Sequence, residues 1–200
     1  MFRIVFVCTG NQARSVIAER YVRRAVEGLP VTVESGGVLD LPPQPPLPQA
    51  VDAARKLGLD LVGHQSRCLV GIDFSDADLV IGFEQQHVAT AVVEGGATAG
   101  KTFMMAELVR LLAEITPSSN PDVEARARDS IHAAHQNRLA SNRFVPGEEL
   151  TDPAGRDARF FDDTAVSIAA MCDELTKRLF GNRAQGLEEK EEAPGGGLQW

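Results

Sequence analysis

Residues 3–7 form a short apolar run rich in Ile, Val and Phe, and the run ends before Gly10-Asn11. It is too short for a buried helix and predicts a buried strand. From residue 15 to about 27 the period changes. Ile17, Ala18, Tyr21, Val22, Ala25 and Val26 fall on one helical face, with Glu19, Arg20, Arg23 and Arg24 mostly opposite. Gly28 and Pro30 stop this helix, and residues 31–34 predict a second strand. Strand, loop, helix and strand in this order predict a parallel pair with a right-handed crossover.

Five prolines between Pro42 and Pro48 then exclude a helix or a central strand and predict a stiff, extended loop. Residues 49–57 read as a helix closed by Gly58, 77–82 as a third strand and 97–104 as a fourth. An amphipathic helix follows over 105–115. Asn120-Pro121 reads as the start of a largely polar surface helix reaching about Leu139, with Asn as the cap and Pro at the first helical position. The last helix covers 162–180, with Ala165, Ile168, Ala169, Cys172, Leu175 and Leu179 as its stripe and Gly181 at its end. Strands alternating with helices predict an α/β fold with a mainly parallel sheet. Residues 182–200, with the acidic block 188–192 and three glycines at 195–197, have a composition that favours a disordered acidic tail.

Composition narrows the function classes. The 200 residues are 44% hydrophobic, which suits one domain over residues 1–181 with a real core. Twenty-eight acids against 20 bases leave a net charge of −8, which argues against nucleic acid or an anionic membrane surface as partner. No apolar run approaches the roughly 18 residues of a membrane span. Three scattered cysteines, Cys8, Cys68 and Cys172, do not make a disulfide scaffold, and the first residues lack the features of a signal peptide. A cytoplasmic protein with reduced thiols is expected.

The chemistry concentrates in Val7-Cys8-Thr9-Gly10-Asn11-Gln12-Ala13-Arg14-Ser15, between the first strand and the first helix. Cys8 stands at the carboxyl end of a parallel strand, where open α/β sheets bind ligands. It also precedes a helix N-terminus, whose free N–H groups and dipole favour an anion and hence a nucleophilic thiolate. Five residues between Cys8 and Arg14 suffice to wrap the amides of Thr9, Gly10, Asn11, Gln12 and Ala13 around one tetrahedral oxyanion. Arg14 then returns to hold two of its oxygens with a planar fork. Gly10-Asn11 tolerates left-handed backbone, and Ser15 can donate to the sulfur.

The stretch VCTGNQARS, followed by Ala18-Glu19, resembles the signature loop of the low-molecular-weight protein tyrosine phosphatases. Ser35 after the second strand, His64 in GHQSR, the strand at 77–81 and Asp152-Pro153 in LTDPAG resemble further features of that family. The resemblance implies a three-layer α/β/α fold on a four-stranded, mainly parallel sheet. It implies a phosphomonoester hydrolase, most naturally a protein tyrosine phosphatase. Cys8 would form a phosphocysteine intermediate, Arg14 and the loop amides would bind the phosphoryl oxygens, and Asp152 would serve as general acid and then base. Asn11, Ser15, Ser35 and His64 would brace the loop. No metal or cofactor is implied; the substrate is a phosphorylated protein or a small phosphate ester.

Several departures stand out. Ala13 replaces a frequent cysteine of the family, and Val16 a usual proline. The Asp-Pro loop reads DPAGRD, with no adjacent aromatic to stack on a flat substrate, a contact worth about 0.5–1.5 kcal/mol; Phe160 or Phe161 could substitute if the loop folds back. A helical insertion at about 103–150 stands where the family has a shorter connection, and could cover the cleft. An arsenate reductase using an external small thiol shares the loop chemistry, and a catalytically impaired phosphate-binding module is a third reading. His132 and His135, three apart on a helix, lack a third metal ligand and read as a solvated face. The proline segment reads as a cleft wall rather than a PxxP ligand.

Overall fold

The computed structural model describes residues 1–141, 145 and 147–181. The 182–200 segment lies outside the described residues. Four parallel strands, β1 (Phe2–Cys8), β2 (Val31–Gly37), β3 (Leu79–Gly82) and β4 (Thr102–Met104), form one sheet in the order β2-β1-β3-β4. The helices are α1 (Arg14–Ala25), α2 (Pro48–Lys56), α3 (Gln85–Val93), α4 (Met105–Glu114), α5 (Val123–Ser141) and α6 (Ala158–Phe180).

Alternation along β1 divides the interior. Phe2, Ile4 and Phe6 join the larger core with apolar faces of α1, α2, α4, α5 and α6, while Val5 and Val7 join a smaller one with Leu69, Phe74 and Ala91 of α3. The result is the three-layer α/β/α fold. On α6 the stripe Phe161, Ala165, Ile168, Cys172, Leu175 and Leu179 is buried, and Phe180 meets Phe2 edge-on with ring centroids 5.6 Å apart.

This arrangement positions the site. β1 lies between β2 and β3, with α1 leaving it toward the larger core and α3 leaving β3 toward the smaller. The two loops part at the carboxyl ends of β1 and β3, which opens the crevice where such sheets bind ligands.

The structure differs from the sequence expectations at several edges. Helix α3 was not expected, because QQHVATAVV is short and β-branched and buries only His87 and Ala91. β2 continues to Gly37, and β4 is shortened to three residues because Ala99–Lys101 forms a 3₁₀ turn. Asp122, not Asn120, caps α5: its carboxylate accepts from the Ala125 amide at 2.7 Å, while Asn120 accepts from the Asp122 amide at 3.1 Å. α6 begins at Ala158 rather than 162, because Asp157 accepts from the Phe160 amide at 2.9 Å. Among the described residues no helix is long and apolar enough to cross a membrane.

The Asp157 cap should be measurable. Asp157→Ala leaves an orphan amide at the head of the longest helix, and urea unfolding should show a loss of about 1 kcal/mol; an unchanged midpoint would mean that the cap contributes nothing.

Candidate active site

The loop after β1 is shaped by Asn11. Among the described residues it is the one non-glycine with positive φ, at 53°. The strain is held by complete use of its side chain, which is fully buried. Its Nδ2 donates to Ser15 Oγ at 2.9 Å and to Ser35 Oγ at 2.8 Å, and its Oδ1 accepts from the Arg67 amide at 3.0 Å. Its backbone carbonyl accepts from His64 Nε2 at 2.9 Å. Ser35 in turn donates to Glu19. The geometry therefore draws Asn11, Ser15, Ser35 and His64 into one network. Glu19 and Arg67 complete it, two residues that sequence reasoning did not name for the site.

Gly37 lets the loop sit where it does. A Cβ there would stand 2.8 Å from the Thr9 carbonyl oxygen, 2.9 Å from Gly10 C and 3.0 Å from the Asn11 nitrogen, all backbone. Nothing in a lone sequence marks this glycine, which reads as a strand end. The amides of Val38 and Leu39 bond the carbonyls of Cys8 and Thr9 at 2.9 and 3.1 Å. Leu47 N bonds the Gln12 carbonyl at 3.0 Å, and Gln12 Nε2 bonds the Pro45 carbonyl at 2.9 Å, so the proline segment is fastened to the loop as a wall.

Cys8 Sγ is 3.0 Å from Ser15 Oγ. Because Ser15 Oγ already accepts from Asn11, its hydrogen is free for the sulfur. No side chain caps the N-terminus of α1, so its first amides remain for a ligand. Arg14 is 1% exposed and carries a crowded set of partners. Nη2 lies 2.6 Å from Asp152 Oδ2 and donates to Thr9 Oγ1 at 3.1 Å. Nη1 lies 3.0 Å from Glu84 Oε2 and donates to the Leu150 carbonyl at 2.7 Å. Glu84 too went unnamed in the sequence, since it comes from the loop after β3.

Cys8, Thr9, Gly10, Gln12, Ala13, Arg14, Leu39, Leu47, Asp152 and Ala154 line one cavity of about 120 Å³. Cys8, Arg14 and Asp152 thus meet, although Asp152 is 138 residues from Arg14 in sequence. Larger hollows along β2 and between α2 and α6 hold no cysteine. Two expectations need correction. Phe161 is buried in the core and Phe160 lies under the Arg156 guanidinium, so neither supplies an aromatic wall. Helices α4 and α5 pack against α6 and do not line the cavity. The chain beyond them reaches the site through Leu150, whose amide bonds the Phe83 carbonyl at 2.9 Å. Among the described residues no group of three His, Cys, Asp or Glu side chains is placed to hold a metal ion.

The family model for low molecular weight phosphotyrosine protein phosphatases matches residues 3–119. The chain belongs to that family. A low molecular weight protein-tyrosine-phosphatase, Etp, of Escherichia coli is 36% identical over 104 residues, 52% of this chain and 69% of that protein. A protein-arginine-phosphatase of Bacillus subtilis is 36% identical over 108 residues, 53% of this chain and 71% of its own length. The structure of the low molecular weight protein tyrosine phosphatase from T. tengcongensis shares the fold, with a TM-score of 0.66 at 24% identity over 90% of this chain and 100% of that one. The protein is therefore a phosphatase of this family, acting on a phosphorylated substrate. The match ends before Asp152, which comes to the site on geometry.

Arsenate reduction is not favoured by this membership, and the cysteine layout argues against an internal thiol relay. Cys8 pairs with Gly37 across the sheet, and Gly37 bridges to Cys68. Two strand spacings put Cys8 and Cys68 roughly 10 Å apart, beyond disulfide reach. Cys172 is buried within α6, and burial raises its thiol far above the usual range.

Two buried histidines flank this phosphatase loop. Burial lowers the pKa of His64; burial and the Arg14 charge push His87 down to about 4. As pH falls below about 6.5 the unfolded chain protonates His87 while the folded chain refuses the proton until about 4. Stability from this group is full above that window and falls across it, by up to about 3 kcal/mol. Urea unfolding between pH 7 and 4 should show a shallower decline in His87→Gln than in wild type; parallel declines would refute the account. Gly37→Ala should displace the loop backbone, weaken phosphate binding and cost about 1–3 kcal/mol in the same assay; phosphate binding at wild-type strength would show that the loop tolerates the methyl group.

Proposed function

We propose that this phosphatase hydrolyses phosphotyrosine through a phosphocysteine intermediate. The observation that carries the reading is the cavity itself, where Cys8, Arg14 and Asp152 converge beneath a wall of Leu39 and Leu47. The substrate phosphoryl group displaces Asp152 from Arg14 and takes two of its oxygens to the guanidinium fork. The amides of Thr9, Gly10, Asn11, Gln12 and Ala13 hold the equatorial charge. Asp152, freed from the arginine, takes up a proton from solvent; the Cys8 thiolate then forms a bond to phosphorus as the bond to the leaving oxygen breaks, and Asp152 gives that oxygen its proton. Asp152 then takes a proton from water, the water oxygen bonds to phosphorus, the S–P bond breaks and inorganic phosphate leaves.

Ser15 steadies the thiolate when it is the leaving group of the second step. Asn11, Ser35 and His64 keep the loop in its strained shape throughout. A phenyl ring rests against the leucine wall, since burial of apolar area favours it at about 25 cal/mol per Å². The nucleophilic thiol requires a reducing compartment, so the proposed location is cytoplasmic. Residues 1–181 act as one domain, with a helical insertion within about 103–150, after β4.

The arginine-phosphatase relative raises a second substrate, phosphoarginine. A guanidinium leaving group calls for an acidic partner at the cavity. Asp152 is the carboxylate that lines it, and once released from Arg14 it can serve either leaving group, so it does not choose between them. The leucine wall favours the phenyl ring. Rates on matched phosphotyrosine and phosphoarginine peptides should favour phosphotyrosine; the reverse order would overturn the substrate assignment.

Cys8→Ser should abolish turnover and covalent phosphate trapping in a rapid quench with a phosphoester substrate. Surviving turnover would remove Cys8 as nucleophile. Asp152→Ala should slow hydrolysis by about 10²–10⁴-fold for a poor leaving group and less for a good one. Equal losses for both would show that Asp152 is not the acid.

A further inference from the structure

His87 is fully buried in the first turn of α3 and bridges the crevice to the Cys8 loop. Its seat depends on Gly82 at the end of β3, where a Cβ would stand 2.9 Å from His87 Cβ and 3.1 Å from Val88 Cγ2. The ring is oriented by two backbone donors. The Phe83 amide donates to Nδ1 at 3.3 Å and the Glu84 amide at 3.1 Å. A ring nitrogen facing two N–H groups carries no hydrogen, so the neutral imidazole bears its hydrogen on Nε2.

Nε2 lies 3.1 Å from Thr9 Oγ1 and 3.3 Å from Glu84 Oε2. Thr9 Oγ1 also accepts from Arg14 Nη2 at 3.1 Å. A hydroxyl has two lone pairs and one hydrogen. Two N–H donors occupy both lone pairs, so the Thr9 hydrogen is left for a third partner. Thr9 lines the cavity.

We propose that His87 is a positioning residue that makes the Thr9 hydroxyl an obligatory donor to a phosphoryl oxygen in the cavity. Thr9 then binds the phosphoryl group through its side chain as well as its amide. The same Nε2 also lies near Glu84, the carboxylate beside Arg14 Nη1, so the neutral ring stands next to both flanks of the guanidinium while its one hydrogen goes to Thr9. Protonation would turn an Nδ1 hydrogen against two amide hydrogens. Burial and the nearby Arg14 charge oppose that, while Glu84, Asp152 and Glu149 favour it, and the balance keeps the ring neutral at neutral pH. The inference rests on the reading of this cavity as the phosphate site.

The test is calorimetric binding of inorganic phosphate to the full chain, alongside kcat and KM for a phosphoester. Thr9→Val keeps the shape and removes the hydroxyl, and should weaken phosphate binding about tenfold. Thr9→Ser should restore it to within about twofold of wild type. His87→Gln should weaken binding to a similar degree as Thr9→Val. The double variant should be within about twofold of Thr9→Val alone, because both changes remove one interaction.

Should His87→Gln fail to fold, ¹⁵N shifts of the wild-type ring decide between the tautomers, with an unprotonated Nδ1 expected. Phosphate affinity unchanged in Thr9→Val, independent effects in the double variant, or a protonated Nδ1 would each overturn the proposal. A wild type that binds phosphate but forms no phosphocysteine overturns the catalytic reading, and the binding arm still decides on Thr9 and His87. A wild type that binds no phosphate overturns both.

Discussion

A guanidinium removed from water must be surrounded by acceptors, and Arg14 sets that demand for the whole molecule. Its exposure is 1%, and an uncompensated charge at that depth costs several kcal/mol. The partners come from three separate parts of the chain: Thr9 from its own loop, Glu84 from the loop after β3, and Leu150 and Asp152 from the segment before α6. The fold has to close before any of them can meet. That explains why the segment before α6 is tied to the end of β3 through Leu150 and Phe83. Without this tie, neither the Leu150 carbonyl nor the Asp152 carboxylate would have a fixed position over the arginine.

The second demand is the turn that brings Arg14 back toward Cys8. It passes through a left-handed Asn11, and that residue's side chain and carbonyl are bonded to Ser15, Ser35, Arg67 and His64. These bonds hold the loop in shape when no anion is present, so binding a phosphoryl group needs little reorganisation. Gly37 allows the loop backbone to rest on β2, and Gly82 allows His87 to rest on β3. Two missing side chains, on either side of β1, let both supports approach.

The parts legible in the sequence were those whose signals are local. β1 announces itself as a short apolar run, β2 as the strand after the stop at Gly28 and Pro30, and α1 and the stripe of α6 through a period of 3.6 residues. Cys8 and Arg14 sit six positions apart on one loop, and their residue types restrict what such a loop can bind. Glu84 and His87 gave no such signal. Glu84 caps α3 and His87 lies in its first turn, a helix whose few buried positions make no stripe, and they meet Arg14 and Thr9 across 70 or more positions of sequence. The same distance hid the fate of Phe160 and Phe161, because the turn of α6 that decides which way they face depends on packing against the sheet. Gly37 and Gly82 were silent for another reason: a close approach is a property of the neighbour, and a glycine at a strand end looks like punctuation.

The net charge of −8 has the same sign as the anion that the site binds. Its influence at a distance is limited, because surface charges are screened over about 8–10 Å at ordinary ionic strength. Within the cavity the balance is set by Arg14, its two carboxylates and the unpaired amides at the head of α1. Glu84 stays with Arg14 from the side. Asp152, half-exposed at the cavity, is the partner that a phosphoryl group can replace. On the proposed mechanism this exchange has a chemical consequence. The carboxylate that holds the buried arginine in the empty site is the one released when substrate arrives, and its release lets it take up a proton beside the leaving oxygen. Stability of the empty site and readiness of the acid are then two states of one ion pair, and the surface charge of the protein has little bearing on either.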